Sequence, residues 1–215
     1  MEPTSPVLMI RNRGHLVVEL LISKHRTYTV SFTSSPASKS TLSDHVSKFA
    51  CIAASQIADD RRAGFVPYLK SLMTDKLLHS HGTLLAVVDS SSTLKSHDHT
   101  LDAGTWLSPV VDLAARYSRA ITERTAIALA ELQASEVLLE GMVNSDGVVV
   151  FGADGTLRAF RVFLKPDDAE KKALAEKGGG RRRTYELMRN RTNVTLMAAL
   201  FRSQDGDTEC AGGES

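Results

Sequence analysis

Cysteine is nearly absent: the 215-residue chain has two, Cys51 and Cys210. Their spacing fits no zinc motif, and two thiols make no disulfide framework, so the sequence points to a reducing compartment. Long apolar runs are missing as well. Nothing approaches the roughly 18 apolar residues that a membrane-spanning helix needs. The chain also lacks an excess of either charge, with 26 Lys and Arg against 25 Asp and Glu and a net charge of +1. That balance speaks against membrane surfaces and nucleic acid as partners, and any basic site has to be local. The opening MEPTSPVLMIRNRG has an acid and a proline where a signal peptide has a basic segment and an apolar run, so the expected location is the cytoplasm. No nucleophile elbow, Walker A sequence or dinucleotide fingerprint occurs.

What is present is an ordinary globular composition, 42% hydrophobic and 24% charged, in a chain long enough for one sizeable core. Residues 7–32 read as two strands with Lys24-His25-Arg26 near the turn. Ser43 suits the N-cap of a helix that starts near Asp44 and continues through FACIAASQIADDRR, and residues 65–79 read as a second helical segment. HGTLLAVVD, 81–89, has the continuous apolar run of a strand buried on both faces. SSSTLKSHDHT reads as polar loop and LDAGTWLSP, 101–109, as a short irregular piece. From Asp112 the chain is free of Pro and Gly until Gly141, which predicts one long helix stopped by that glycine.

Residues 145–164 have hairpin texture. VVVF is one strand, Ala153-Asp154-Gly155 the turn, and TLRAFRVFL the return strand, with Leu157, Ala159, Arg161 and Phe163 on one face. A charged segment leads to GGGRRRTYEL, residues 178–187. TLMAALF, 195–201, reads as another buried strand, SQDG as a turn and DTEC as the start of a last strand. Interspersed strands and helices give an α/β class: a single domain with a central mixed β-sheet flanked by helices.

Three stretches carry candidate chemistry. Gly178, Gly179 and Gly180 run into Arg181, Arg182 and Arg183 at the start of a helix-like segment. Glycine lets backbone amides approach an anion, a helix N-terminus presents unpaired N–H groups, and guanidinium binds phosphate oxygens in a fork. On a helix, Arg181 and Arg183 flank a phosphate chain while Arg182 faces elsewhere. A solvated basic turn explains the same residues. Ser145-Asp146-Gly147 opens a strand, a place for a metal or hydroxyl contact, or simply for a turn residue. Ser203-Gln204-Asp205-Gly206 by itself is a hairpin turn. His79, His81, His97 and His99 cluster in sequence without paired ligand spacing and read as surface residues.

The order SDGVVVF, GTLRAFRVFL, GGGRRRTYELM, ALFRSQDG resembles the diadenylate cyclase (DAC) nucleotide-binding domain. Asp146-Gly147-Val148 matches its Asp-Gly-Ala. Gly179-Gly180-Arg181-Arg182-Arg183 matches its Gly-Thr-Arg-His-Arg. Ser203-Gln204-Asp205 stands at its Ser-Glu-Glu turn. HGTLLAVVD resembles its first core strand. The resemblance divides the chain into N-terminal strands and helices at 1–76, a DAC-like nucleotide-binding domain at 77–210 and a tail at 211–215.

The resemblance implies an ATP-binding domain that works in facing pairs, each 3′-hydroxyl attacking the partner's α-phosphate to give cyclic di-AMP and pyrophosphate with a divalent metal, Mg or Mn. It implies that Asp146 orients the hydroxyl or metal, with Asp205 as a second metal ligand. Gly147 lies against the nucleoside. Gly179, Gly180, Arg181, Arg182, Arg183, Ser203 and Gln204 complete the nucleotide site. It further implies ATP or a cyclic dinucleotide as partner and a homo-oligomer if the domain is catalytic. The departures are the family's histidine replaced by Arg182, its threonine by Gly180 and a metal-binding carboxylate by Gln204. They keep open a non-catalytic sensor of a nucleotide or cyclic dinucleotide.

Overall fold

The computed structural model describes residues 8–14, 17–22, 26–31, 42–91, 103–174 and 178–213. It is an α/β fold built on a mixed sheet of six strands. Its centre is β4 (Thr83–Val88), buried at every position. The parallel β6 (Val148–Gly152) pairs with β4 on one side and the antiparallel β8 (Ala198–Arg202) on the other. Outside β6 lie β7 (Thr156–Phe163) and then β5 (Ala103–Asp112), and outside β8 lies the edge strand β9 (Thr208–Gly212). A separate antiparallel sheet of three strands, β1 (Leu8–Gly14), β2 (Val17–Ile22) and β3 (Arg26–Ser31), replaces the two strands expected before residue 32.

Alternate residues of the buried strands feed two cores, as strand geometry requires. Leu85, Val87, Val149, Phe151 and Leu200 face four helices: α1 (Leu42–Ala53), α2 (Asp59–Leu78), α3 (Leu113–Glu123) and α4 (Ala126–Val143). Leu84, Ala86, Val148, Val150, Ala199 and Phe201 face Tyr185 and Met188 of α6 (Gly180–Asn190), which follows the short α5 (Asp168–Leu174). Helices therefore cover both faces. The boundary drawn at 76/77 falls inside α2, whose Leu69, Met73 and Leu77 belong to the same core as the sheet.

Several local expectations change. The first helix ends at Ala53, and α2 begins at Asp59 after a turn. LDAGTWLSP is not irregular, because most of it lies in β5, paired to β7. The long helix after Asp112 is two: Arg124 turns left-handed at φ 53°, and the Thr125 side chain accepts from Ala128 N–H to cap α4. Gly141 does not stop α4, which runs on to Val143. In β7 the alternation breaks at Arg161, whose φ is 55°, so Val162 is buried while Arg161 and Phe163 are exposed. His97 and His99 lie outside the described residues. No helix among the described residues is long and apolar enough to cross a membrane.

Candidate functional site

Because β4 and β6 are parallel and β8 is antiparallel, the starts of β4 and β6 and the end of β8 share one end of the sheet. Asp146 precedes β6, Gly82 precedes β4, and Ser203 follows β8. The first turn of α6 reaches the same end. Arg181 Nη2 lies 3.3 Å from Asp146 Oδ1 across 35 residues of chain, and Arg181 Nη1 donates to the His81 carbonyl at 3.0 Å. Gly82, at φ 93°, fits only as glycine. A Cβ there would stand 3.1 Å from the Arg202 carbonyl oxygen and 3.2 Å from both Arg181 Nη1 and the Gln204 nitrogen. Arg181 therefore stands between the Asp146 carboxylate and the backbone of Gln204 at this end of the sheet.

The Asp146 carboxylate is 86% exposed, and Arg181 is its one ion-pair partner among the described residues, through Oδ1. Gly147 has a packing reason of its own. Its φ is 91°, and a Cβ would come 2.8 Å from the Arg161 carbonyl carbon on β7. Gly179 is the N-cap of α6 and Gly180 its first residue, and a Cβ at either would meet nothing within 4 Å, so their surroundings are open.

The three arginines diverge, since successive helical residues are about 100° apart. Arg182 leaves the site. It donates to Glu186 at 2.8 Å and to Glu209 of β9, and its Cζ lies 5.6 Å over the rings of Tyr185 and Phe201. Arg183 lines a groove of about 420 Å³ with Leu164, Pro166, Lys171 and Leu174, away from the Asp146–Arg181 contact. Ser203 is used by its own turn: its hydroxyl accepts from Asp207 N–H at 2.9 Å, and its N–H donates to the Asp207 carbonyl at 2.8 Å. Gln204 and Asp205 are exposed at the tip. No group of three or more His, Cys, Asp or Glu suited to a metal occurs among the described residues. Two exposed carboxylates are nevertheless what Mg²⁺ uses when phosphate oxygens and water fill its remaining positions.

Sequence reasoning missed His81, Gly82 and Arg202. The signal for Gly82 was a glycine just before a fully apolar strand. Arg202 is half-buried beneath the β8–β9 turn, donating to the Gly206 carbonyl at 3.1 Å and Thr208 Oγ1 at 3.2 Å. Its Nε is buried without a partner among the described residues, and burial lowers its pKa from the usual value. It adds positive charge under the turn, and its place directly before Ser203 was visible in the sequence. Comparison of the chain with protein-family models, with curated proteins and with solved structures returns no match.

Proposed function

We propose that the end of the sheet formed by Asp146, Arg181, Gly82 and Gln204 binds a nucleoside polyphosphate, as the resemblance to diadenylate cyclase domains implies. The observation that carries the reading is the Asp146–Arg181 contact. Two residues singled out for their motifs, 35 positions apart, meet within 3.3 Å at an open surface. Arg181 supplies the phosphate contact, and Asp146 faces the attacking hydroxyl. A divalent metal would be held by Asp146 and Asp205 with phosphate oxygens, and would neutralise charge on the phosphates. The reaction is condensation of two ATP. On each nucleotide an oxygen–phosphorus bond forms from the partner's 3′-hydroxyl to the α-phosphorus and the bond to pyrophosphate breaks, while the hydroxyl proton passes to solvent or to the released pyrophosphate. Catalysis of this kind is mainly positioning and charge neutralisation. A single site cannot complete it, so the cyclase works as a two-fold assembly.

A second reading, a nucleotide or cyclic-dinucleotide sensor, is favoured by particular residues. Gln204 brings no carboxylate, Gly180 no hydroxyl, and Arg183 lines a different groove from Arg181. Incubation with ATP and Mg²⁺ or Mn²⁺ separates the readings. Chromatography yields cyclic di-AMP and pyrophosphate from a cyclase. Binding without product, at concentrations where the protein is dimeric, leaves the sensor. No binding of ATP or cyclic di-AMP at all removes both.

A further inference from the structure

A different face of α6 borders a second cluster, which shares no residue with the nucleotide reading and does not depend on it. Tyr185 is 2% exposed, its ring stacked on Phe201 with centroids 5.4 Å apart. Its hydroxyl makes no hydrogen bond among the described residues, and the side chain lines a cavity of about 490 Å³ between α1, the C-terminal part of α6 and β9. The ring is buried, but the hydroxyl stays in contact with the open cavity, so it is available to donate to an oxygen held there. Burial also raises the Tyr185 pKa far above the ordinary value, so the hydroxyl is a donor at neutral pH.

Around it stand Lys48 and His45 from α1, Arg189 from α6, and Asn193 from the following loop. The acidic group on the wall, Glu209, is already held by Arg182, which also pairs with Glu186, and Glu186 lies 3.7 Å from Arg189. Two guanidiniums against two carboxylates leave that network neutral. Lys48 has no ion pair among the described residues, so its ammonium is the surplus charge. Burial holds the His45 imidazole below its usual pKa against the opposing charges of Asp44 and Glu209, and Asp44, exposed one turn before Lys48 on α1, tempers the local positive charge without lining the cavity.

The cavity thus presents an ammonium, a guanidinium, a phenol and an amide, and its one lining carboxylate is already paired. Its volume lies in the range of small-molecule sites. We infer that this cavity binds a small organic oxyanion, carrying carboxylate or phosphate, with Lys48 supplying the surplus positive charge, Arg189 adding N–H donors that its 3.7 Å approach to Glu186 leaves unused, and the Tyr185 hydroxyl donating to an oxygen. Arg181 and Arg189 are eight positions apart on α6, about 12 Å at the helical rise, so the two sites are separate.

The test is an NMR titration of the full chain with citrate, 3-phosphoglycerate and inorganic phosphate, following backbone amides. Saturable shifts centred on Lys48, Tyr185 and Asn193 are expected with citrate or 3-phosphoglycerate and are retained in Arg181→Ala, even if that variant no longer binds ATP. Citrate, which carries carboxylates alone, and inorganic phosphate distinguish the two sources, and 3-phosphoglycerate carries both groups. Affinity should fall at least about tenfold in Lys48→Ala combined with Arg189→Ala, and severalfold in Tyr185→Phe. If Arg189→Ala disturbs the fold, Lys48→Gln alone carries the comparison. No saturation by about 10 mM with any probe, unchanged affinity in these variants, or loss of the shifts in Arg181→Ala would overturn the inference.

Discussion

Arg182 of α6 is joined to Glu209 of the edge strand β9, while the same guanidinium holds Glu186 one turn along its helix. This arginine, which the resemblance would place in a phosphate site, works here as a structural tie. Arg182→Ala should lower unfolding free energy by about 1–3 kcal/mol, the cost of stranding the largely buried Glu186, reduced by the partial exposure of Arg182 itself. Urea denaturation measures the loss. ATP affinity should stay within about threefold of wild type, which calorimetry checks.

Arg181 is the contrasting case. Arg181→Ala should weaken ATP binding by about 1.5–3 kcal/mol, tenfold or more, with little change in stability because the side chain is exposed. Arg183→Ala should cost less than half of that, since Arg183 lines the groove beside α5. Equal losses in the two variants would place the phosphates across the N-terminus of α6 rather than beside Asp146.

Asp146→Asn should keep most ATP affinity and abolish cyclic product if the wild type makes any. Removing the carboxylate affects the attacking hydroxyl and metal, and leaves the arginine grip in place. Product formation in the wild type should also rise more steeply than linearly with protein concentration around the dimer dissociation constant, as quantitative chromatography of time courses would reveal.

Gly147→Ala should destabilise the fold by about 1–3 kcal/mol, because a left-handed φ and a 2.8 Å approach to the β7 backbone oppose it together. Thermal denaturation is the readout. Wild-type stability in this variant would mean that β6 and β7 separate freely at Arg161.

Burial pushes the Cys210 thiol up to about 11, so at pH 8 roughly one in a thousand is thiolate. Cys51 is exposed on α1. Iodoacetamide at pH 8 should modify Cys51 within minutes and leave Cys210 intact until denaturant is added, as peptide mass spectrometry would show.

The hairpin, the buried strands and the two-sided sheet were legible because each is a local pattern: VVVF has no polar residue, TLLAVV has only its first, and Ala153-Asp154-Gly155 is a turn by composition. The break between α3 and α4 was not, because a left-handed arginine followed by a threonine cap leaves neither Gly nor Pro as a marker. Gly141 misled for the converse reason: helix propensity alone marks it as a stop, but flanking Leu139, Met142 and Val143 are buried against the core and carry the helix through. The meeting of Asp146 with Arg181 was legible from motif order. The divergence of Arg183 follows from helical spacing, and the part of Gly82 emerged only when β8 was laid beside β4.

Tyr185 and Met188 seat α6 on the sheet through the second core, and the ion pair of Arg181 lies one turn away from that anchorage. The guanidinium is therefore carried by a helix whose position is set by packing rather than by its acidic neighbour. Binding a phosphate there demands no reordering of the backbone, so most of the entropy of arranging the grip is spent when the chain folds. Variants that loosen Tyr185 or Met188 would degrade affinity from a distance, through a wider spread of arginine positions, while every atom that touches the ligand stays the same.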